Sequence, residues 1–422
     1  MNIQGLREEV YLHLTEDLIP FWKNLRDNEY GGYFGFLSFD HKLDKKAVKG
    51  CILNSRITWF FSNAYTLLKD GTLLEEAEHG FRFLKEHCWD RKNGGVYWSV
   101  RYDGTPEETL KHTYNQAFSI YALSSYYEAS GDKEALDMAY QLYELIETRM
   151  RDELGYKEAF DEAFYEIDNE KLSENGVMAQ KTMNTLLHVF EAYTELYRVD
   201  HNSEVKEKLM WIMELFADKV YNPKLHRQEV FFDDKWNSIL DLHSYGHDIE
   251  TAWLIDRGVE VVGEESYAEK MFPITKDLTG QIYDVAFDGV SLANECDRGV
   301  VNTDRIWWVQ AETLLGFLNA YEKCTQNNGG SSEEAQKYLK AALNVWEYIK
   351  ENVIENRQEN INVGNNCPDD SCGKEWYEVL DAEGTPYNKP MVQPWTCPYH
   401  NGRMCMEVIK RLQIAVDAPV FD

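Results

Sequence analysis

Two histidines and a glutamate stand close together in the stretch LHSYGHDIETAW, which runs from Leu242 to Trp253. His243 and His247 are four residues apart and Glu250 follows three residues later, so a helix through all three would place them on one face. Imidazole and carboxylate groups on one face can bind a metal ion or exchange protons with a substrate. The stretch therefore predicts a reactive surface, and its chemistry depends on the residues that meet it.

The metal interpretation is the weaker one. The spacing of His243 and His247 matches the zincin motif H-E-x-x-H, but Ser244 stands where that motif has its catalytic glutamate. The sequence also lacks a G-x-G-x-x-G turn after a strand and a G-x-x-x-x-G-K-[ST] loop, the usual signs of a bound nucleotide. We therefore expect neither a metal ion nor a cofactor.

Five other short polar stretches open segments that are otherwise apolar. Together with HSYGHDIE they are NSR (54–56), HTYNQ (112–116), KTMN with His188 one turn later, RIWWVQAE (305–312) and CPYHNGR (397–403). Polar groups that converge in an aromatic-lined cavity are the default hypothesis for a binding or catalytic site. We expect these openings to meet at one place in the fold.

The side chains in these openings suit proton transfer beside a carbonyl group. Histidines exchange protons near neutral pH, and hydrogen-bond donors stabilise an oxyanion by about 2.7–4 kcal/mol each. The histidines are His188, His247 and His400, the donors are Arg56, Tyr114 and Asn184, and the candidate sugar-stacking rings are Trp307, Trp308, Trp376 and Trp395. Two histidines on opposite sides of one carbon predict epimerisation or aldose–ketose isomerisation.

The elements that must position these residues repeat along the chain. Gly-rich, aromatic, hairpin-like pieces occur near residues 30, 93, 154 and 373, and weaker copies occur near 228 and 287. Their spacing of roughly 60 residues leaves room for two helices and a short hairpin in each of six units.

The helices between the hairpins are of two alternating kinds. Amphipathic segments such as DKEALDMAYQLYELIET suit an outer ring, and segments that are apolar nearly all round, such as NQAFSIYALSSYY, suit an inner ring. Six of each predict an all-α (α/α)6 barrel, with the hairpins at the active-site end and residues 1–422 as a single catalytic domain.

The composition limits the classes of molecule that the protein can bind. The formal net charge of −30 argues against nucleic acid, whereas 12 Trp and 26 Tyr provide flat apolar rings that suit an uncharged sugar. The N-terminus has acidic residues where a signal peptide would be basic, and no apolar run approaches the length of a membrane span, so we expect a cytoplasmic protein that binds no membrane. Cys367 and Cys372 are expected to be structural or incidental, and the other cysteines free thiols. We expect a monomer whose partner is an oligosaccharide.

The motifs as a set resemble the N-acylglucosamine 2-epimerase superfamily, and more narrowly its cellobiose 2-epimerase branch. The similar stretches are KHTYNQAF, KTMN-x-x-x-H, LHSYGHDIE-x-x-W, R-x-WWVQAE and PW-x-CPYHNGRMCMEV, and the resemblance covers nearly the whole chain from FWKNLRDNEYGGYFG onward. It implies an (α/α)6 barrel that acts without a cofactor on cellobiose, lactose and longer β-1,4 oligosaccharides.

The resemblance also implies residue roles. His247 and His400 resemble the family's acid/base pair, which exchanges the C2 proton of the opened reducing-end sugar from opposite faces. Glu250 resembles the carboxylate that orients His247, with His243 in support, and His188 resembles a site histidine that assists ring opening. Arg56, Tyr114 and Asn184 resemble the groups that hold the oxygens of the sugar. Trp308 and Trp395 resemble the walls that stack on the sugar, and Trp376 is expected to face the second sugar.

Other interpretations stay open at this stage. An N-acylglucosamine epimerase or a mannose isomerase would share most of the chemistry. A glycoside hydrolase would need two carboxylates facing each other across a glycosidic bond, and a sugar-binding barrel without activity would need the Trp walls but not both histidines. The segment 355–376 is long for its position and puts the substrate range and Trp376 in question.

Overall fold

The computed structural model describes residues 1–173, 175–328, 332–355 and 373–417. In chain order its α-helices are α1 (Ile3–Leu12), α2 (Ile19–Asn24), α3 (Cys51–Leu68), α4 (Gly71–Phe83), α5 (Thr113–Ser130), α6 (Lys133–Arg149), α7 (Met183–Asp200), α8 (Ser203–Leu215), α9 (Tyr245–Val262), α10 (Glu265–Val285), α11 (Trp307–Asn328), α12 (Glu333–Tyr348) and α13 (His400–Asp417). From α3 onward the odd-numbered helices are buried along most of their length, whereas the even-numbered ones and α1 expose one face. The helices thus alternate between an inner and an outer ring, as predicted.

The inner ring closes on itself. Helix α13 packs against both α11 and α3, and α1 covers α13 from outside. The predicted all-α (α/α)6 barrel is confirmed. The prediction that all 422 residues form one domain also covers segments outside the described residues, and it stays a prediction.

A two-residue turn joins each of the first three buried helices to the outer helix that follows. Lys69, Gly131 and His201 directly follow α3, α5 and α7. Each adopts the left-handed backbone conformation that commonly ends an α-helix. The next residue in each case is Asp or Asn, whose side chain caps the first turn of the outer helix. The residue that ends the inner helix is followed directly by the residue that caps the outer helix, so the connection between them is only two residues long.

Short antiparallel strands fix the opposite ends of the inner helices. In chain order they are β1 (Lys49–Gly50), β2 (Ser99–Val100), β3 (Pro106–Glu108), β4 (Lys111–His112), β5 (Ala159–Phe160), β6 (Glu166–Ile167), β7 (Lys181–Thr182), β8 (Tyr221–Asn222), β9 (Arg227–Gln228), β10 (Phe231–Phe232), β11 (Leu242–Ser244), β12 (Glu295–Asp297), β13 (Val300–Asn302), β14 (Arg305–Ile306) and β15 (Val379–Leu380). Strands β1, β4, β7, β11 and β14 each run directly into an inner helix and pair with a strand of the next repeat. The starts of the inner helices are therefore held together at one rim.

Buried ion pairs reinforce this rim. Lys49 Nζ lies 2.6 Å from Asp27 and Lys111 Nζ lies 2.9 Å from Asp90, and both lysine side chains are fully buried. Buried charges of this kind are stable only when they are paired. Each pair ties the strand before an inner helix to the loop after the preceding outer helix.

The structure tests three further predictions only in part. None of the helices in the described part of the chain has both the length and the apolar character of a membrane span. The six cysteines among the described residues are free thiols, as predicted. Cys367, Cys372 and most of the 355–376 segment lie outside the described residues.

Candidate active site

A cavity of about 360 Å³ opens at the rim where the inner helices begin. Nine of the ten predicted site residues line it: Arg56, Tyr114, Asn184, His188, His247, Glu250, Trp308, Trp395 and His400. These residues come from all six inner helices and the loop before α13. The predicted convergence of the helix openings is therefore what the structure shows, and only Trp376 lies elsewhere.

His400 is held as a proton acceptor. Its Nδ1 atom lies 2.7 Å from Glu312 Oε1, and a carboxylate in that place accepts the Nδ1 proton and leaves Nε2 with its lone pair. Burial, reinforced by the nearby Arg403, lowers the pKa of His400 well below 6.5. The imidazole is therefore neutral and ready to take a proton.

His247 packs against the same indole ring as His400. The Trp308 ring centre is 4.8 Å from that of His247 and 5.4 Å from that of His400. Ser244 Oγ lies 2.7 Å from His247 Nδ1 and fixes the ring orientation. Burial, with a smaller contribution from His188, lowers the pKa of His247 to about 3. The cavity thus holds two neutral imidazoles, both next to Trp308.

Gly246 makes this arrangement possible. A Cβ atom at this position would lie 2.6 Å from the Trp308 ring, closer than any real contact. Only glycine therefore lets the indole pack against the first turn of α9, beside His247. The glycine in the SYGHDIE stretch is explained by this contact.

The expected pairing of Glu250 with His247 is wrong. Glu250 Oε1 accepts a hydrogen bond of 2.5 Å from Arg403 Nη2 and lies 3.9 Å from Nδ1 of His400, the other histidine. Its Oε2 atom has no partner among the described residues. Helical spacing placed Glu250 near His247, but the arginine that α13 brings into the ring centre provides a stronger partner. Burial and the neighbouring Glu312 raise the pKa of Glu250 to about 8.

His243 does not support His247 either. It belongs to β11 and precedes the start of α9 at Tyr245, so the helical spacing assumed for His243 and His247 does not apply. Its Nε2 atom lies 2.8 Å from Asp248 Oδ2, and His243 is absent from the cavity lining. The H-x-x-x-H pattern is a coincidence of a strand meeting a helix.

A buried network around Arg403 was not predicted from the sequence. Arg403 donates to Glu250, to Glu312 at 2.7 Å and to Glu191, and Glu191 lies 2.9 Å from His188 Nδ1. We call Arg403, Glu191, Glu250 and Glu312 the Arg403 cluster; all four are at least nine-tenths buried. The sequence contained one signal for this cluster: Glu312 ends the stretch RIWWVQAE and Arg403 ends the stretch CPYHNGR, and both stretches open inner helices.

The Arg403 cluster also bears on metal binding. Glu250, Glu312 and His400 lie close enough together for one ion. However, Arg403 Nη2 is within hydrogen-bond distance of both carboxylates and supplies their positive counter-charge. The cluster positions His188 and His400 through their Nδ1 atoms, since each bonds a carboxylate that also bonds Arg403.

Arg56 is preorganised for an oxyanion. Its Nη2 atom donates to Tyr114 OH at 2.8 Å, and its guanidinium group stacks over Phe118 at 4.1 Å and Tyr399 at 4.6 Å. Burial raises the pKa of Tyr114 to about 12, so the phenol stays protonated and can donate. Asn184, in the first turn of α7, completes a set of polar groups on this wall.

Trp376 is a core residue, and its predicted place at the second sugar is wrong. The side chain is fully buried, and its Nε1 atom donates to His13 Nε2 at 2.8 Å. The ring stacks on His13 beneath α1 rather than facing the cavity. The strand-like segment that carries Trp376 turns this residue inward, a choice that alternation alone could not determine.

A pair of substitutions separates the two tryptophans. We expect Trp376→Phe to lower the free energy of unfolding by about 1–3 kcal/mol, because His13 loses its buried partner, and to leave KM unchanged. Trp395→Phe, at the cavity wall, should raise KM with little effect on unfolding. Denaturant titration and initial rates measure both; a raised KM only in Trp376→Phe would contradict the assignment.

Comparison with known proteins agrees with the geometry. The sequence model of the N-acylglucosamine 2-epimerase (GlcNAc 2-epimerase) family matches residues 31–400. The chain belongs to this family. Cellobiose 2-epimerase from Eubacterium cellulosolvens is 49% identical over 419 residues, which cover 96% of this chain and 98% of that protein.

Solved structures of the family superpose closely. A crystal structure described as a sugar epimerase from a ruminal bacterium has a TM-score of 0.89 at 48% identity, covering 96% of this chain and 99% of that one. Cellobiose 2-epimerase from Bacillus thermoamylovorans has a TM-score of 0.88 at 41% identity, covering 97% and 100%. The protein is therefore an enzyme of the epimerase and isomerase class.

Proposed function

We propose that the protein inverts C2 of the reducing-end glucose in β-1,4-linked disaccharides, converting cellobiose to glucosyl-mannose and lactose to epilactose. The observation that carries this proposal is the pair of neutral imidazoles, His247 and His400, that line one cavity and both pack against Trp308. The relatives named cellobiose 2-epimerase support the choice of substrate.

The first step is ring opening. The Nδ1 atom of His188 bonds Glu191, so its Nε2 atom can accept the proton of the anomeric hydroxyl. The C1–O5 bond breaks, and the imidazolium returns that proton to the departing ring oxygen, which becomes the C5 hydroxyl. The resulting aldehyde oxygen lies where Arg56 and Tyr114 can donate to it. Their hydrogen bonds strengthen as negative charge develops on that oxygen.

Inversion then proceeds through a cis-enediolate. One imidazole takes the C2 proton and becomes an imidazolium ion, and the electron pair moves into the C1–C2 bond and onto the carbonyl oxygen. The other imidazole returns a proton to C2 from the opposite face. That imidazole must hold a proton in the substrate complex, and the protonated carboxyl of Glu250, 3.9 Å from His400 Nδ1, is a store for it.

The pH profile should reflect these pKa shifts. His247 and His400 have lowered pKa values, about 3 for His247, so both stay neutral as the pH falls below 6.5. Glu250, with a pKa raised to about 8, keeps its proton until the pH rises through that value. We expect kcat/KM to be flat between about pH 5 and 8 and to fall above about 8. A fall with an apparent pKa near 6.5 would contradict this account.

Product analysis tests the function itself. Proton NMR of the purified protein with cellobiose and, separately, with lactose should show a mannose-type reducing end in each case. A ketose product would instead indicate an isomerase, and free glucose a hydrolase. Turnover of N-acetylglucosamine with no reaction of either disaccharide would move the assignment to an N-acylglucosamine epimerase.

A further inference from the structure

The outer part of the cavity is acidic. Among the described residues that line it, Arg56 is the permanent cation, and it lies deep, with 2% of its surface exposed and with Tyr114 OH as a partner. Glu295 and Glu378 also line the cavity, and both are partly exposed.

Glu295 lies next to one catalytic histidine. It stands on β12 directly opposite Ser244 of β11, and side chains of directly opposed residues project on the same face of a strand pair. Ser244 Oγ in turn lies 2.7 Å from His247 Nδ1. The Glu295 carboxylate therefore belongs to the hairpin wall beside His247.

Glu378 lies next to Trp307, the neighbour of Trp308 in the chain. Its backbone carbonyl accepts from the amide of Trp307 at 3.1 Å, its Oε1 atom accepts from Gln393 Nε2 at 3.2 Å, and Lys389 is near enough to interact with its charge. Gln393 belongs to the loop that leads to His400. The two carboxylates thus line the cavity from two different segments of the rim, one on β12 and one directly before β15.

We propose that the cavity selects the second sugar by charge, accepting disaccharides whose outer sugar carries a protonated amine as well as neutral ones, and rejecting those whose outer sugar carries a carboxylate. This proposal rests on the proposed function, because it assumes that the reducing-end sugar lies between His247 and His400. The outer sugar then faces Glu295 and Glu378. Like charges brought together in a partly desolvated site strongly oppose binding, and opposite charges favour it. The net charge of −30 on the whole chain acts in the same direction.

Three disaccharides that differ only in the outer sugar test the proposal. They are cellobiose, its analogue with glucosamine as the outer sugar, and its analogue with glucuronic acid as the outer sugar. NMR detection of the mannose-type reducing end gives kcat/KM for each near pH 7. We expect kcat/KM to be at least about tenfold higher for the amine than for the uronate at low salt, and the ratio to shrink at high salt.

Isosteric variants assign the effect to the two carboxylates. In a Glu295→Gln/Glu378→Gln double variant the ratio of amine to uronate should approach one. A Glu204→Gln/Glu207→Gln double variant, which removes the same two charges from exposed positions of α8, is the matched control and should leave the ratio as in the parent protein.

The outcomes separate the two proposals. A ratio near one in the parent protein, or a ratio unchanged in the double variant, would overturn selection by charge while epimerisation of cellobiose left the proposed function intact. Failure to epimerise cellobiose would overturn the proposed function, and selection by charge with it.

Discussion

His400→Asn is expected to lower the turnover number for cellobiose by about 10³-fold or more, with little effect on thermal unfolding. The Asn amide can still donate to Glu312, the partner of His400 Nδ1, but it cannot take a proton from carbon. General acid–base catalysis by one side chain commonly contributes about 10²–10⁴-fold, and the loss of either member of a pair stops inversion. His247→Asn should have the same effect for the same reason.

A surface histidine provides the matched control. His226 is more than half exposed and pairs with Asp277 on α10, outside the cavity. His226→Asn should therefore retain the parent turnover number. Initial rates with cellobiose and circular dichroism melting curves for all three variants give the comparison. Epimerisation that persists in His247→Asn or in His400→Asn would contradict the two-histidine mechanism.

Arg403→Met is expected to lower the free energy of unfolding by about 3–5 kcal/mol and to abolish activity. Methionine fills much of the same space, but it leaves Glu191 and Glu312 buried without their counter-charge and Glu250 without its hydrogen-bond donor. Removing one partner from a buried ion pair has a cost of this size because the remaining charge is not solvated. Urea unfolding monitored by tryptophan fluorescence measures the change.

The free energy of unfolding of Arg403→Met should depend on pH in a direction set by the pKa shifts of the three carboxyls. In the parent protein Arg403 holds the pKa of Glu191 below its ordinary value, whereas burial already raises the pKa values of Glu250 and Glu312. Without the guanidinium all three pKa values rise, so the folded state binds more protons and gains stability as the pH falls. The deficit relative to the parent protein should therefore be smaller at pH 5 than at pH 8. Arg82→Met, which breaks the exposed pair with Glu78, should change stability by only about 0–1 kcal/mol at either pH. A deficit independent of pH would contradict the role assigned to the Arg403 cluster.

The fold was predictable because its signals are local and repeated. Each inner helix is apolar nearly all round, each outer helix has a charged stripe, and turns such as Gly131–Asp132 mark the boundary between them. The site could be located for a related reason. Side chains at the starts of the inner helices must meet once the ring closes, whatever the details of packing.

The partners of the site residues were not predictable in the same way. His243 and His247 share a helical spacing in the sequence, but the helix begins between them. Glu250 is three residues from His247 and yet bonds Arg403, which is 153 residues further along the chain. Hydrogen-bond partners from distant helices are decided by packing, and Trp376 shows that an aromatic ring near a hairpin can equally well belong to the core.

Deuterium exchange at C2 tests the two-histidine mechanism most directly. Each single variant, His247→Asn and His400→Asn, is incubated in heavy water with cellobiose and, separately, with glucosyl-mannose, and C2 is monitored by NMR. Each remaining histidine reaches only one face of C2, so one variant should exchange the C2 proton of cellobiose alone and the other that of glucosyl-mannose alone, both without inversion. Inversion by either variant, or exchange of both epimers by one of them, would contradict two histidines acting from opposite faces.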